Sequence, residues 1–167
     1  MTTSTLPPPR RARGFTLIEL VIVLAVLAIL ATLALPSPAG RITQQRVVET
    51  LELIEPFKKN IALHFVANAG EFPKTNIAAG VPEPKKVVGN WLESMEVRDG
   101  AMHLTLGQKL GPPVHGQILS VRPVFVQDSP DSPISWVCGY NKVPDGMVAA
   151  GANLTNVELG NLPLRCR

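Results

Sequence analysis

Apolar and polar positions divide the chain into stretches with different periods. From Phe15 to Leu35 the side chains are apolar with almost no periodicity, and only Thr16, Glu19 and Thr32 interrupt the run. A helix over this segment is about 31 Å long, close to the hydrocarbon thickness of a bilayer. After Gly40 a helical period sets in. Val47, Leu51, Ile54, Ile61 and Phe65 recur at spacings of three and four, with Lys58 as the one polar member of the series. This predicts an amphipathic helix over 41–69, with Glu55–Lys59 oriented as a favourable surface pair. Pro56 predicts a kink near Glu52 or a restart at Pro56 itself. Asn68-Ala69-Gly70 supplies a stop.

From Glu71 to Asn90 the chain is rich in Pro, Gly and Lys without sustained period, which reads as a long, partly irregular connection. Strand patterns follow. Residues 91–97 and 101–106 flank Asp99-Gly100, a hairpin turn. Residues 116–127 alternate Ile118, Ser120 and Arg122 against Leu119, Val121 and, more loosely, Val124. After a turn-rich 128–133, residues 134–140 place Ile134, Trp136 and Cys138 on one face. A long helix followed by an antiparallel sheet of about four strands is an α+β order.

Composition adds little to this picture except where charge and cysteine are concerned. The net charge is +3, but Arg10, Arg11 and Arg13 stand before the apolar run without an acid. Without them, thirteen Lys and Arg face thirteen Asp and Glu, so the body is neutral and a nucleic-acid partner has no support from net charge. The arginines predict a cytoplasmic N-terminus and an external body. Cys138 and Cys166 are the two cysteines. In a reducing compartment they are two inert thiols; with an export segment they meet an oxidising one, where such a pair usually closes.

Glu19 is the residue this apolar stretch has to explain. A secretory signal cut near 37–40 fits the basic start, but the apolar run exceeds the usual h-region and a charge within it is unwelcome. A plain membrane anchor leaves Glu19 near one interface, where its penalty is below the roughly 2.5–3.5 kcal/mol of mid-bilayer. A third reading gives it a partner: a cut between Gly14 and Phe15 creates an amine four residues away, on the same helix face, and neighbouring copies supply one each.

The unbroken stretch Gly14-Phe15-Thr16-Leu17-Ile18-Glu19-Leu20 closely resembles the N-terminus of type IV prepilins, a signature shared with the pseudopilins of type II secretion. The resemblance implies that 1–14 is a leader removed by a prepilin peptidase, which cuts after Gly14 and methylates the amine of Phe15. It implies that Glu19 neutralises that amine on an adjacent subunit during assembly. Residues 15–35 then form a helix that is transmembrane before assembly and lies in the filament core afterwards. Residues 36–167 form the globular domain outside the inner membrane, with a bend at Pro36. The resemblance further implies a Cys138–Cys166 disulfide closing a C-terminal loop exposed on the fibre. The leader is longer than in the commonest pilins, and Pro7, Pro8 and Pro9 favour an extended arm.

The expected function is therefore structural: a subunit of a type IV pilus used for adhesion, twitching motility or DNA uptake. Its partners are copies of itself or other pilins. Apolar packing at about 25 cal/mol per Å² supplies most of the energy, and the charge pair selects the alignment. The alternatives are a minor pilin with a DNA-binding or adhesive tip role and a type II secretion pseudopilin, which the cysteine pair disfavours by resemblance. No enzyme and no cofactor are expected. His64, His103 and His115 lack metal-ligand spacing, and Ser132 and Ser135 lack a nucleophile-elbow context. The triplet Asn153-Leu154-Thr155 matches an N-glycosylation pattern that arises often by chance.

Overall fold

The computed structural model describes residues 14–34 and 38–167, in two compact units that divide at Ser37. In the first, helix α1 covers Leu17–Ala34, and the described apolar side chains of its first fourteen residues are all exposed. Among the described residues no helix is long and apolar enough to cross a membrane. At 18 residues α1 spans about 27 Å, a little short of the roughly 30 Å of a hydrocarbon core.

The second unit opens with α2 (Pro38–Leu53) and α3 (Glu55–Ala67). The break falls at Ile54 because Pro56, at the start of α3, has no N–H to continue the ladder. The restart at Pro56 is thus the alternative that holds. Val47, Leu51, Ile54, Ile61 and Phe65 are all buried, so one apolar face continues through the break. Lys58, the polar member of that series, lies 5.8 Å over the Trp136 ring and pairs with Glu55 at 2.5 Å. Glu55 therefore meets Lys58, one residue short of the Lys59 pairing expected from sequence.

The sheet runs β1 (Leu92–Arg98), β2 (Ala101–Leu106), β3 (Ile118–Phe125), β4 (Ser135–Cys138), all antiparallel and in that spatial order. The Asp99-Gly100 turn is as expected: both residues have positive φ, 47° and 79°, the combination a two-residue hairpin needs. A two-residue strand β5 (Val148–Ala149), too short to leave a pattern in the sequence, pairs with the end of β3. Met95, Val97, Met102, Leu104, Leu119 and Val121 project from one face and join the buried residues of α2 and α3 in a single core.

The irregular stretch from 71 to 90 contributes to that core through Ala79, Val81 and Val87. It also closes the edge of β1. Asn76 is buried; its Oδ1 accepts the N–H of Val97 at 2.7 Å, and its Nδ2 donates to the carbonyls of Met95 at 3.0 Å and Pro82 at 2.7 Å. One side-chain amide thus stands in for a neighbouring strand. Farther along, the Arg46 guanidinium lies 4.3 Å over the Trp91 ring, while the indole N–H donates to Glu49 at 2.6 Å, fastening α2 to the start of β1.

Candidate assembly site

The first unit begins in non-helical backbone at Gly14, Phe15 and Thr16. Among the described residues, a Cβ added at Gly14 would meet nothing within 4 Å, so no contact with them demands glycine there. Phe15 is exposed. Thr16 and Glu19 are joined reciprocally: the Glu19 N–H donates to Thr16 Oγ1 at 3.3 Å. In return, Glu19 Oε2 accepts the Thr16 hydroxyl at 3.1 Å and the Thr16 N–H at 3.3 Å. This is a capping box, with Thr16 as N-cap and Glu19 at the third helical position, satisfying amides that the first turn leaves unpaired. The carboxylate also lies at the positive end of the helix dipole.

Two sequence-based expectations change here. The helix begins at Leu17, so Phe15 lies outside it and does not share a helix face with Glu19. Glu19 also has a partner within its own chain, Thr16, which the sequence reading overlooked. The signal was present: Thr-x-x-Glu ahead of an apolar run is a sequence-level capping box. Both hydrogen bonds from Thr16 to this carboxylate end on Oε2. Pro36, expected to bend the helix, and residues 1–13 of the expected leader lie outside the described residues.

At the other end of the chain, Cys138 and Cys166 form a disulfide with Cα atoms 4.5 Å apart. Both sulfur-bearing residues are buried in the core. Gly139 has φ +57°, and a Cβ there would collide with the Cys166 carbonyl oxygen, so the turn beside the bridge requires glycine. The Tyr140 N–H donates to that same carbonyl at 3.0 Å.

The loop between the cysteines does more than close on itself. After β5 has paired on one side of β3, residues 150–156 form a strap across the outer face of the sheet, and Val157 returns to the core. Gly151, at φ +71°, comes so close to β2 that a Cβ would stand 2.5 Å from Ala101 Cβ. Leu154 N–H donates to Ser120 Oγ at 2.8 Å, and Ser120 N–H donates to Thr155 Oγ1 at 3.0 Å. Asn156 then takes the edge that β4 leaves open, accepting Ile118 N–H on Oδ1 at 2.6 Å and donating its own N–H to Ile118 O at 3.0 Å. Beneath the strap, Ser120 Oγ and His103 Nδ1 are 2.9 Å apart, both residues buried.

The three histidines do not converge, and among the described residues no group of three or more His, Cys, Asp or Glu could hold a metal ion. His115 lies 3.6 Å from Glu93, and His64 is on α3. Burial, with the Arg98 charge nearby, holds the His103 imidazole below its ordinary value. Several basic side chains are already engaged locally, Lys86 by Glu83, Arg98 by Glu96 and Lys142 by Asp145.

Residues 9–35 match the family model of the prokaryotic N-terminal methylation motif, and residues 45–167 match that of the pilin of bacterial filaments. The chain is similar to a type IV major pilin protein PilE1 of Neisseria gonorrhoeae, at 31% identity over 161 residues, covering 93% of this chain and 87% of that one. It is similar as well to a fimbrial protein of Neisseria meningitidis serogroup B, at 30% identity over 93% of this chain and 94% of that one. The fimbrial protein EcpC of Eikenella corrodens is 29% identical over 77% of this chain and 83% of its own.

Proposed function

The chain belongs to the type IV pilin family and is a structural pilus subunit, not an enzyme; from that premise we propose that it polymerises through α1, with Glu19 answering the Phe15 amine of an adjacent copy. The observation that carries the reading is α1 itself. A helix apolar on every side and exposed on every described side chain has no place in water. Lipid covers it before assembly and other copies of the same helix cover it afterwards.

In this reading the peptidase cuts between Gly14 and Phe15, where the backbone is non-helical and can be drawn into an active site. The new amine is then methylated, and Phe15–Leu35 resides in the inner membrane until the subunit joins an extracellular fibre. Moving α1 from lipid into a filament exchanges one apolar surrounding for another, so apolar burial, expected from the sequence to supply most of the energy, largely cancels in this step. Close packing between helices and the fate of the carboxylate remain to drive the step. The capping box supplies the Glu19 carboxylate with hydrogen-bond donors while it waits. An ammonium in the filament core offers a stronger, charge-assisted partner.

The test is fibre yield with membrane insertion as the control. Glu19→Ala should insert normally and give no sheared fibres. Normal fibre yield from that variant refutes the register role. Mass spectrometry of the mature protein should find an N-methylated Phe15 at the N-terminus; retention of the first fourteen residues removes the amine on which the mechanism depends.

A further inference from the structure

His103 is a buried histidine that the assembly reading does not use. It sits in the middle of β2 on the outer face of the sheet, directly across from Glu96 on β1 and Ser120 on β3. Its Nδ1 meets Ser120 Oγ, and that same oxygen accepts the N–H of Leu154 from the strap. Its other nitrogen, Nε2, has no hydrogen-bond partner among the described residues. A neutral ring tolerates this, because it can donate from Nδ1 and leave Nε2 bare. An imidazolium carries N–H on both nitrogens, so its Nε2–H would face a buried site without an acceptor.

The charges around the ring do not rescue the cation. From β1, Glu96 is bound to Arg98 at 2.8 Å, so the anion across the strand pair is shared with a cation. From β3, Arg122 lies two residues beyond Ser120 on the same face, and its Nε is itself buried with no hydrogen-bond partner among the described residues. The strap, residues 150–156, contains no Asp, Glu, His, Lys or Arg. Nor is the strap held by apolar burial: none of the side chains of 150–156 is buried, and its fastening consists of hydrogen bonds to β3 and its neighbours. A segment attached in this way can open without disturbing a core. It is anchored on either side by β5, which pairs with β3, and by the buried Val157.

We propose that His103 is an acid-operated latch on this strap: protonating the ring releases residues 150–156 from the outer face of the sheet, while β1–β4 and their core stay folded. Opening lets water reach Nε2 and frees the Ser120 hydroxyl from the strap. The segment that moves belongs to the disulfide-bounded loop, so acid alters the surface this loop presents.

Hydrogen exchange on the full chain in detergent micelles, followed by mass spectrometry and corrected for intrinsic exchange, tests this. Protection of the strap amides should fall about tenfold at about pH 5.5 relative to pH 8, one unit below the ordinary imidazole value of about 6.5. Amides of β2 should not change. In His103→Gln the strap should show the same protection at both pH values. PH-independent protection in the unsubstituted chain overturns the proposal, as does an unchanged pH profile in the variant. Should the variant lose β2 protection at neutral pH, the unsubstituted chain decides alone. There the NMR titration of the His103 ring and the opening of the strap must share one midpoint, and separate midpoints overturn the latch.

Discussion

Replacing Asn76 with Ala removes one buried side chain and disconnects three backbone groups at once. The Val97 N–H and the Met95 carbonyl lose their partner at a buried sheet edge, and the Pro82 carbonyl loses its own at a part-buried site. Each buried group left unpaired costs about 1–3 kcal/mol, whereas a part-buried carbonyl can find water. The expected loss is thus about 2–6 kcal/mol, a large share of the 5–15 kcal/mol that holds a domain together. Urea unfolding of the full chain in detergent micelles measures it through tryptophan fluorescence. Trp91 precedes one edge strand and Trp136 lies on the other, so both edges report. With a slope of about 1–3 kcal/mol per molar, the midpoint should drop by at least about 0.7 M. Asn76→Asp serves as the control for geometry. It keeps an acceptor for Val97 but turns a second oxygen, and a charge, toward two carbonyls, so it should be no more stable than the alanine variant. A change below about 0.5 kcal/mol in both variants, the scatter of ordinary surface substitutions, would refute the edge-closing role. The role matters for assembly, because a pilus subunit must keep its strand edges from pairing with those of its neighbours.

Thr16→Val removes the capping hydroxyl and should cost about 1 kcal/mol at the start of α1. Fibre yield should therefore fall several-fold without vanishing, and Thr16→Ser should restore it; equal yields from all three would dismiss the cap. Cys138→Ser opens a loop of sequence separation 28, worth about 3–4 kcal/mol on the loop-entropy model. Urea unfolding should report that loss, together with faster exchange in residues 139–165. The His103 imidazole, held below its ordinary value by burial, contributes stability that is complete above about pH 6.5. That contribution declines as pH falls toward the folded value, because the unfolded chain binds the proton first. Unfolding midpoints taken from pH 8 downward should decline in the unsubstituted chain and decline less in His103→Gln.

The long-period features of this protein were legible in the chain. The unpatterned apolar run, the helical series from Val47 to Phe65, the Asp99-Gly100 hairpin and the alternation in the strands each depend on residues close in sequence, whose geometry repeats predictably. The prepilin signature and the pairing of Cys138 with Cys166 were available by resemblance, and the Thr16–Glu19 box could have been read from its spacing alone. Tertiary structure decided the rest. Ser120 reads as an outward polar residue in an alternating strand, yet the strap covers it, and 17 residues separate it from the histidine it meets. Asn76 reads as one polar residue in an irregular connection, yet it closes a sheet edge 21 residues away. Local pattern determines which face of an element is apolar. Which polar groups must find each other is settled only when distant backbone is buried together and each donor and acceptor has to be satisfied.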